Sequence, residues 1–254
     1  MTRAVIVSAV RTPIAKMRGA LKDLHPSVYG GLVIKEALHR AGVSGEEVDD
    51  VVFGNCLAGG GNMARLAWLE AGMPIEVPGM TIDRQCGSGI NTVALAAQLV
   101  AAGTGNIFVA GGTESMTRSP YLLEPPSVAF DRSPPKFVNR RLSPDHIGDP
   151  PMGITAENLA ERFGVGREEQ DRFALQSQMR MKRAMEQGLF RDQIVPVPLK
   201  DKKGNVTLFE TDEHPRPDTT LEALSKLPPA FKAGGSVTAG NSSGVNDGAA
   251  ALVV

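Results

Sequence analysis

Chemistry in this chain starts from a thiol. Cys86 stands in Thr81-Ile82-Asp83-Arg84-Gln85-Cys86-Gly87-Ser88-Gly89, where a β-rich run meets a long apolar helical pattern. A cysteine at the N-terminus of a helix meets unpaired N–H groups and the positive end of the macrodipole. These favour the thiolate and offer donors to an oxyanion. Gly87 and Gly89 allow a tight turn and close approach of a ligand. The chemistry would be covalent, with sulfur attacking a carbonyl at a strand-to-helix elbow. The same local pattern also suits an inert buried cysteine, and both readings stay open at this level. Asp83 adds a carboxylate near the thiol, which would raise its pKa. The second cysteine, Cys56, reads as a small core residue at the end of a strand. Gly59-Gly60-Gly61 is no phosphate loop, because no Gly-Lys-Ser/Thr follows it.

The elements that must hold Cys86 are short apolar strands alternating with helices. Residues 4–10, 50–56, 79–83 and 106–111 are β-rich runs with little alternation, as strands covered on both faces require. Residues 27–41 place Val28, Leu32, Ala37 and Leu38 near one helical face, with Gly42 as the stop. A short helix is expected at 63–70. Residues 87–102 are apolar nearly all round and end at Gly103, which predicts a helix buried against the sheet or at a subunit contact. Fourteen of the 18 prolines lie between residues 120 and 229, so that stretch is not the interior of a regular sheet. Within it, residues 167–188 form the clearest surface helix, with Phe173, Ala174, Met181, Ala184 and Met185 on the drier side. Residues 249–254 are again a bare apolar strand, fit for the first sheet. The reading is an α/β domain with a mainly parallel, five-stranded sheet, interrupted by a loop-rich, partly helical insertion.

Composition excludes several classes. The 254 residues carry 27 Lys+Arg against 28 Asp+Glu, a net charge of −1 without the basic footprint of a nucleic-acid binder. No apolar run approaches the ~18–20 residues of a membrane span. The start, MTRAVIVSAVRTP, reads as a strand and lacks the features of a secretory leader. Two cysteines are too few for a disulfide scaffold, so a reducing, cytoplasmic setting is expected.

Five segments also carry a family resemblance: RQCGSG at 84–89, NIFVAGGTESMTRSPY at 106–121, MGITAENLAERFG at 152–164, REEQDRFALQSQ at 167–178 and GGSVTAGNSSGVNDGAAAL at 234–252. In this order, across nearly the whole chain, they resemble the thiolases, the acetyl-CoA acetyltransferases of fatty acid metabolism. The resemblance implies a layered α/β domain at 1–116 and 245–254, with a loop domain carrying coenzyme A at 117–244. It implies that Cys86 takes the acyl group as a thioester and lends its N–H to an oxyanion hole. It implies that Arg216 packs on the adenine and that Met152, Phe231, Ala239, Ser243 and Gly244 line the pantetheine channel. The Gly/Ser/Asn-rich TAGNSSG independently offers amides and hydroxyls to an amide-bearing arm, and arginine over a base makes a stacking contact that lysine would not reproduce.

The reaction implied is transfer of an acyl group between CoA and the cysteine, for thiolysis of acetoacetyl-CoA or 3-ketoacyl-CoA or for Claisen condensation of acetyl-CoA. CoA and acyl-CoA enter as substrates; no resident cofactor, no metal, no nucleic acid and no membrane partner is expected. A homo-oligomer, dimer or tetramer, is implied for the complete enzyme. The family also has a second half with a His in a GHP-type motif and a Cys in a CxG motif, and neither motif occurs here; His25, His39, His146 and His214 match none of them. This chain is therefore expected to be an inactive N-terminal portion. The alternative is a non-catalytic acyl-CoA-binding or assembly module, or one half of a split enzyme paired with a separate C-terminal half. Pro151 and Ala223 depart from residues common in short-chain biosynthetic members. Arg118, Arg132, Lys136, Arg140 and Arg141 read equally as contacts for CoA phosphates or a partner subunit and as solvated surface.

Overall fold

The computed structural model describes residues 3–57, 61–130 and 132–254. Gly59 and Gly60 lie outside the described residues. In chain order the elements are β1 (Ser8–Arg11), β2 (Ala15–Lys16), α1 (Pro26–Ala41), β3 (Asp50–Gly54), α2 (Met63–Glu70), β4 (Gly79–Ile82), α3 (Ser88–Ala102) and β5 (Phe108–Ser115). There follow β6 (Leu122–Leu123), β7 (Phe137–Val138), α4 (Met152–Phe163), α5 (Arg167–Glu186), β8 (Val197–Lys200), β9 (Val206–Phe209), α6 (Leu221–Ser225) and β10 (Asn246–Val253).

The chain divides into two units. The first comprises residues 1–119, 188–214 and 244–254. Its sheet runs β1-β10-β5-β3-β4, with β2 also pairing to β10. β3 pairs in parallel with both β4 and β5, whereas β10 is antiparallel to β5, β1 and β2. Hence β1, β3, β4 and β5 all point one way and β10 alone runs against them. The sheet is mainly parallel along a five-strand path, with the two-residue β2 as a sixth member.

Side chains of β5 alternate between two cores, one on each face of the sheet. Val109 joins a core with Tyr29, Val33, Val51, Phe53, Trp68, Ala251 and Val253, beneath α1 and α2. Phe108 and Ala110 face the opposite side, with Ala96 and Val100 of α3. Helix α1 ends as expected, at Gly42 with φ 66°, whose N–H bonds back to the carbonyls of Leu38 and His39.

Three expectations are refined. Helix α3 buries a single stripe, Ser88, Thr92, Ala96 and Val100, while Ile90 is 79% exposed. A residue every fourth position is buried against the sheet, Val93 and Leu99 are partly buried beside it, and Ile90 faces outward. On α5, Phe173 is 73% exposed, so it leaves the drier side; Asp171 is the buried residue of that helix.

The third concerns residues 188–214, read from their prolines as part of the insertion but belonging to the first unit. Val195 and Val197 enter the α/β core there, and Arg11 forms an ion pair of 2.7 Å with Asp212. Pro198 sits in the two-stranded β8–β9 ladder, where an edge tolerates its missing donor.

The second unit, residues 120–187 and 215–243, contains β6, β7, α4, α5 and α6. Among the described residues no helix is long and apolar enough to cross a membrane.

Candidate active site

Cys86 lies in the connection between β4 and α3 and is exposed. The reading of it as a packed, inert core cysteine is thereby excluded. The turn is built by hydrogen bonds on either side of the sulfur. The Gly87 N–H donates to the Arg84 carbonyl at 3.1 Å and the Ser88 N–H to the Gln85 carbonyl at 3.0 Å. The buried Ser88 hydroxyl accepts from the Arg84 N–H at 2.8 Å and donates to the Gln85 carbonyl at 2.6 Å. Gln85, the residue before the thiol, has φ 50°, a left-handed conformation that costs a non-glycine residue about 1–2 kcal/mol. The Asp83 carboxylate accepts from the Gln85 N–H at 2.9 Å. Gly54, at the end of β3, lets α3 settle onto the sheet: a Cβ there would stand 2.7 Å from the Ser88 Cβ.

A second thiol stands beside this turn. The Cys56 Sγ donates to the Gln85 carbonyl at 3.4 Å and lies 3.4 Å from the Ser88 Oγ. Its segment is held by Glu114 at the end of β5, whose carboxylate accepts from the Cys56 N–H at 2.7 Å, from Leu57 N–H at 3.2 Å and from Asn55 Nδ2 at 3.0 Å. Burial pushes the Cys56 thiol up; the Ser88 hydroxyl draws it back, and the Asp83 and Glu114 carboxylates push it further.

In the second unit, Met152 opens α4 directly after Pro151 and is 66% exposed. Gly153 admits the Phe231 ring against the helix, since a Cβ at Gly153 would collide with that ring. Phe231 itself is 45% exposed. Arg216 is exposed, and its main-chain N–H donates to Gln178 Oε1 at 2.9 Å. Ala239 and Ser243 are exposed on the segment that follows the buried pair Val237 and Thr238. Gly244 belongs to the first unit, where a Cβ would collide with the His214 ring.

Comparison with known proteins decides the family. The model of the thiolase N-terminal domain matches residues 4–254. The chain belongs to the thiolase family. It is 47% identical over 262 residues to an acetyl-CoA acetyltransferase of Syntrophomonas wolfei, covering 100% of this chain and 66% of that protein. It is 42% identical over 266 residues to a beta-ketoadipyl-CoA thiolase of Acinetobacter baylyi, with the same coverage of 100% and 66%. Among solved structures, the Bacillus anthracis acetyl-CoA acetyltransferase superposes with a TM-score of 0.90 at 42% identity, covering 100% of this chain and 65% of that one. This thiolase chain thus spans just under two thirds of the relatives it matches.

The residues read from the thiolase motifs are distributed over both units. Phe231 packs against Gly153, the residue next to Met152, in the unit that also carries Arg216, Ala239 and Ser243, whereas Cys86 and Gly244 belong to the other unit. The Asp83 oxygen is engaged with the Gln85 N–H, and its carboxylate pushes up the neighbouring Cys56 thiol. Sequence reasoning missed Cys56 as a neighbour of the elbow and Glu114 as the group that holds it. The signal available was the Glu114 of GGTES within a matched motif, but nothing local ties it to residue 56. His146 is exposed in its loop.

Proposed function

We propose that this chain carries the acyl-accepting portion of a thiolase, moving an acyl group between coenzyme A and Cys86. The observation that carries the reading is an exposed thiol at a strand-to-helix turn, preceded by a residue held at φ 50°. Strain of that kind persists where the surroundings impose it, and it clusters at sites of chemistry. In the step proposed, the Cys86 sulfur attacks the thioester carbonyl and the CoA thiolate leaves, taking a proton. The Cys86 N–H stabilises the oxyanion, a contribution typically of ~10²–10³ in rate for one donor. Arg216 stacks on the adenine, while Met152, Phe231, Ala239, Ser243 and Gly244 line the pantetheine arm. Relatives whose names specify acetyl-CoA and beta-ketoadipyl-CoA support a CoA thioester as the substrate class.

The 254 residues hold neither the GHP-type histidine nor the CxG cysteine, the bases that the resemblance assigns to thiol activation and α-proton removal. By itself this polypeptide therefore accepts an acyl group without turning over, in thiolysis or in Claisen condensation. The test is incubation with acetyl-CoA followed by peptide mass spectrometry and a steady-state thiolysis assay with acetoacetyl-CoA. Acetylation confined to Cys86 and lost in Cys86→Ala, without turnover, is expected. Acetylation at Cys56, or none at all, would overturn the acceptor role; steady-state thiolysis would overturn the inactivity.

A further inference from the structure

Helix α4 carries a glutamate that neither the reaction nor the channel reading uses. Glu157 is 5% exposed, yet it faces main chain instead of a guanidinium. Its Oε1 accepts from the Ser236 N–H at 3.0 Å and the Val237 N–H at 2.8 Å. Its Oε2 accepts from the Ser236 N–H at 3.0 Å and the Ser236 hydroxyl at 3.2 Å. Gly235 makes room for this grip, because a Cβ there would run into the carboxylate.

Burying a carboxylate costs several kcal/mol unless donors surround it, so a helix position that holds one against a loop backbone calls for a reason. The residues that follow supply it. Asn241 returns the loop to α5: its Nδ2 donates to the buried Asp171 at 3.0 Å and to the Ser236 carbonyl at 3.1 Å, while its Oδ1 accepts from the Thr238 N–H at 2.7 Å. Asp171 is itself held by Arg167 at 2.7 Å, and Gln170 donates to the Ser236 hydroxyl at 2.9 Å. Between the two anchors the chain presents Ala239 to solvent. The same α4 begins at Met152 and receives Phe231 on Gly153. One helix therefore sets the loop and two of the other residues proposed to line the pantetheine arm.

We infer that Glu157 is the positioning residue of the pantetheine loop at 236–243, its buried carboxylate fixing the loop's main chain in the conformation that binds coenzyme A. The inference rests on the proposed CoA reading. Glu157 touches no substrate; it acts through Ser236 and Val237. The charged groups that face it are Lys232, paired at 3.4 Å with Glu161, and the Arg167–Asp171 pair beyond Ser236. The Ser236 N–H, more than any other group, holds the carboxyl below the ordinary glutamate range against the opposing effect of burial.

The test is calorimetric titration of the 254-residue chain with CoA, for the parent, Glu157→Gln and Arg216→Ala, between neutral pH and pH about 4, with amide exchange at Ser236 and Val237 followed in parallel. An amide side chain must turn an NH2 toward donors, so Glu157→Gln should weaken CoA about tenfold, the scale of one charge-assisted hydrogen bond. It should speed exchange at both amides. Affinity of the parent should fall in acid more steeply than that of the variant, which subtracts the titration of CoA's own phosphates. Unchanged affinity in Glu157→Gln at every pH, with the two amides exchanging faster, would overturn the inference while leaving CoA binding intact. Absence of saturable CoA binding by the parent would overturn the CoA reading, and this inference with it. Should Glu157→Gln fail to fold, the parent alone decides: CoA affinity must follow the acid titration of the Ser236 and Val237 amide signals, and an affinity indifferent to it refutes the role.

Discussion

A thiol reacts as its thiolate and only where a reagent can reach it. The two cysteines of this chain stand in different surroundings. Cys86 is exposed at the turn, whereas Cys56 is half-buried and pushed up by burial and by the Asp83 and Glu114 carboxylates. Alkylation by iodoacetamide near neutral pH should therefore modify Cys86 at least ~10 times faster than Cys56, with site-resolved mass spectrometry as the readout. Equal rates would remove the basis for calling Cys86 the nucleophile. For Cys56 the sign is fixed by its surroundings: a raised pKa means that its alkylation sets in only at pH above the ordinary cysteine range. Glu114 bears on this behaviour by fixing the main chain of residues 55–57.

At the scale of elements, the elbow depends on how closely α3 approaches the end of β3. Gly54 faces the Ser88 Cβ and the Ser88 and Gly89 main chain, with 2.7–3.1 Å left for an added methyl group. Backbone on the far side cannot yield as a flexible side chain would, so Gly54→Ala must shift the first turn of α3. Overpacking of this kind costs about 1–3 kcal/mol. We expect a fall in urea midpoint of that size together with at least a severalfold change in Cys86 alkylation rate. A variant with normal stability and normal Cys86 reactivity would show that the close approach is not what holds the elbow. Helix α3 also shows that composition and burial are separate matters. Thr92 spends its hydroxyl on the Gly89 carbonyl at 2.7 Å and the Gly111 carbonyl at 3.0 Å, so the stripe against the sheet includes a polar residue while Ile90 faces outward.

For the molecule as a whole, Glu157 is one group that ties stability to acid pH. Its pKa in the folded chain is depressed, so the stabilisation it contributes is complete above the ordinary glutamate range. That contribution is lost as pH falls through the lower, folded value. The thermal midpoint should therefore fall below pH ~4.5, and Glu157→Gln, less stable at neutral pH, should show a shallower decline over the same window. Parallel declines in the two proteins would mean that other carboxylates dominate.

The amino-acid sequence determined what is local or repeated along the chain. The elbow around Cys86, the glycine stops of helices such as α1, the alternation of strands and helices before residue 116 and the five thiolase segments are written in adjacent residues, because turns and periodic faces are set by neighbours. The tertiary structure alone decided the pairings between distant positions. Cys56 meets Gln85 across 29 positions and Glu157 meets Ser236 across 79, and residues 188–214 return to the first sheet's core despite their prolines. Such contacts depend on sheet register and on which helix face turns inward, and these are settled by packing of the whole chain rather than by any short stretch of it.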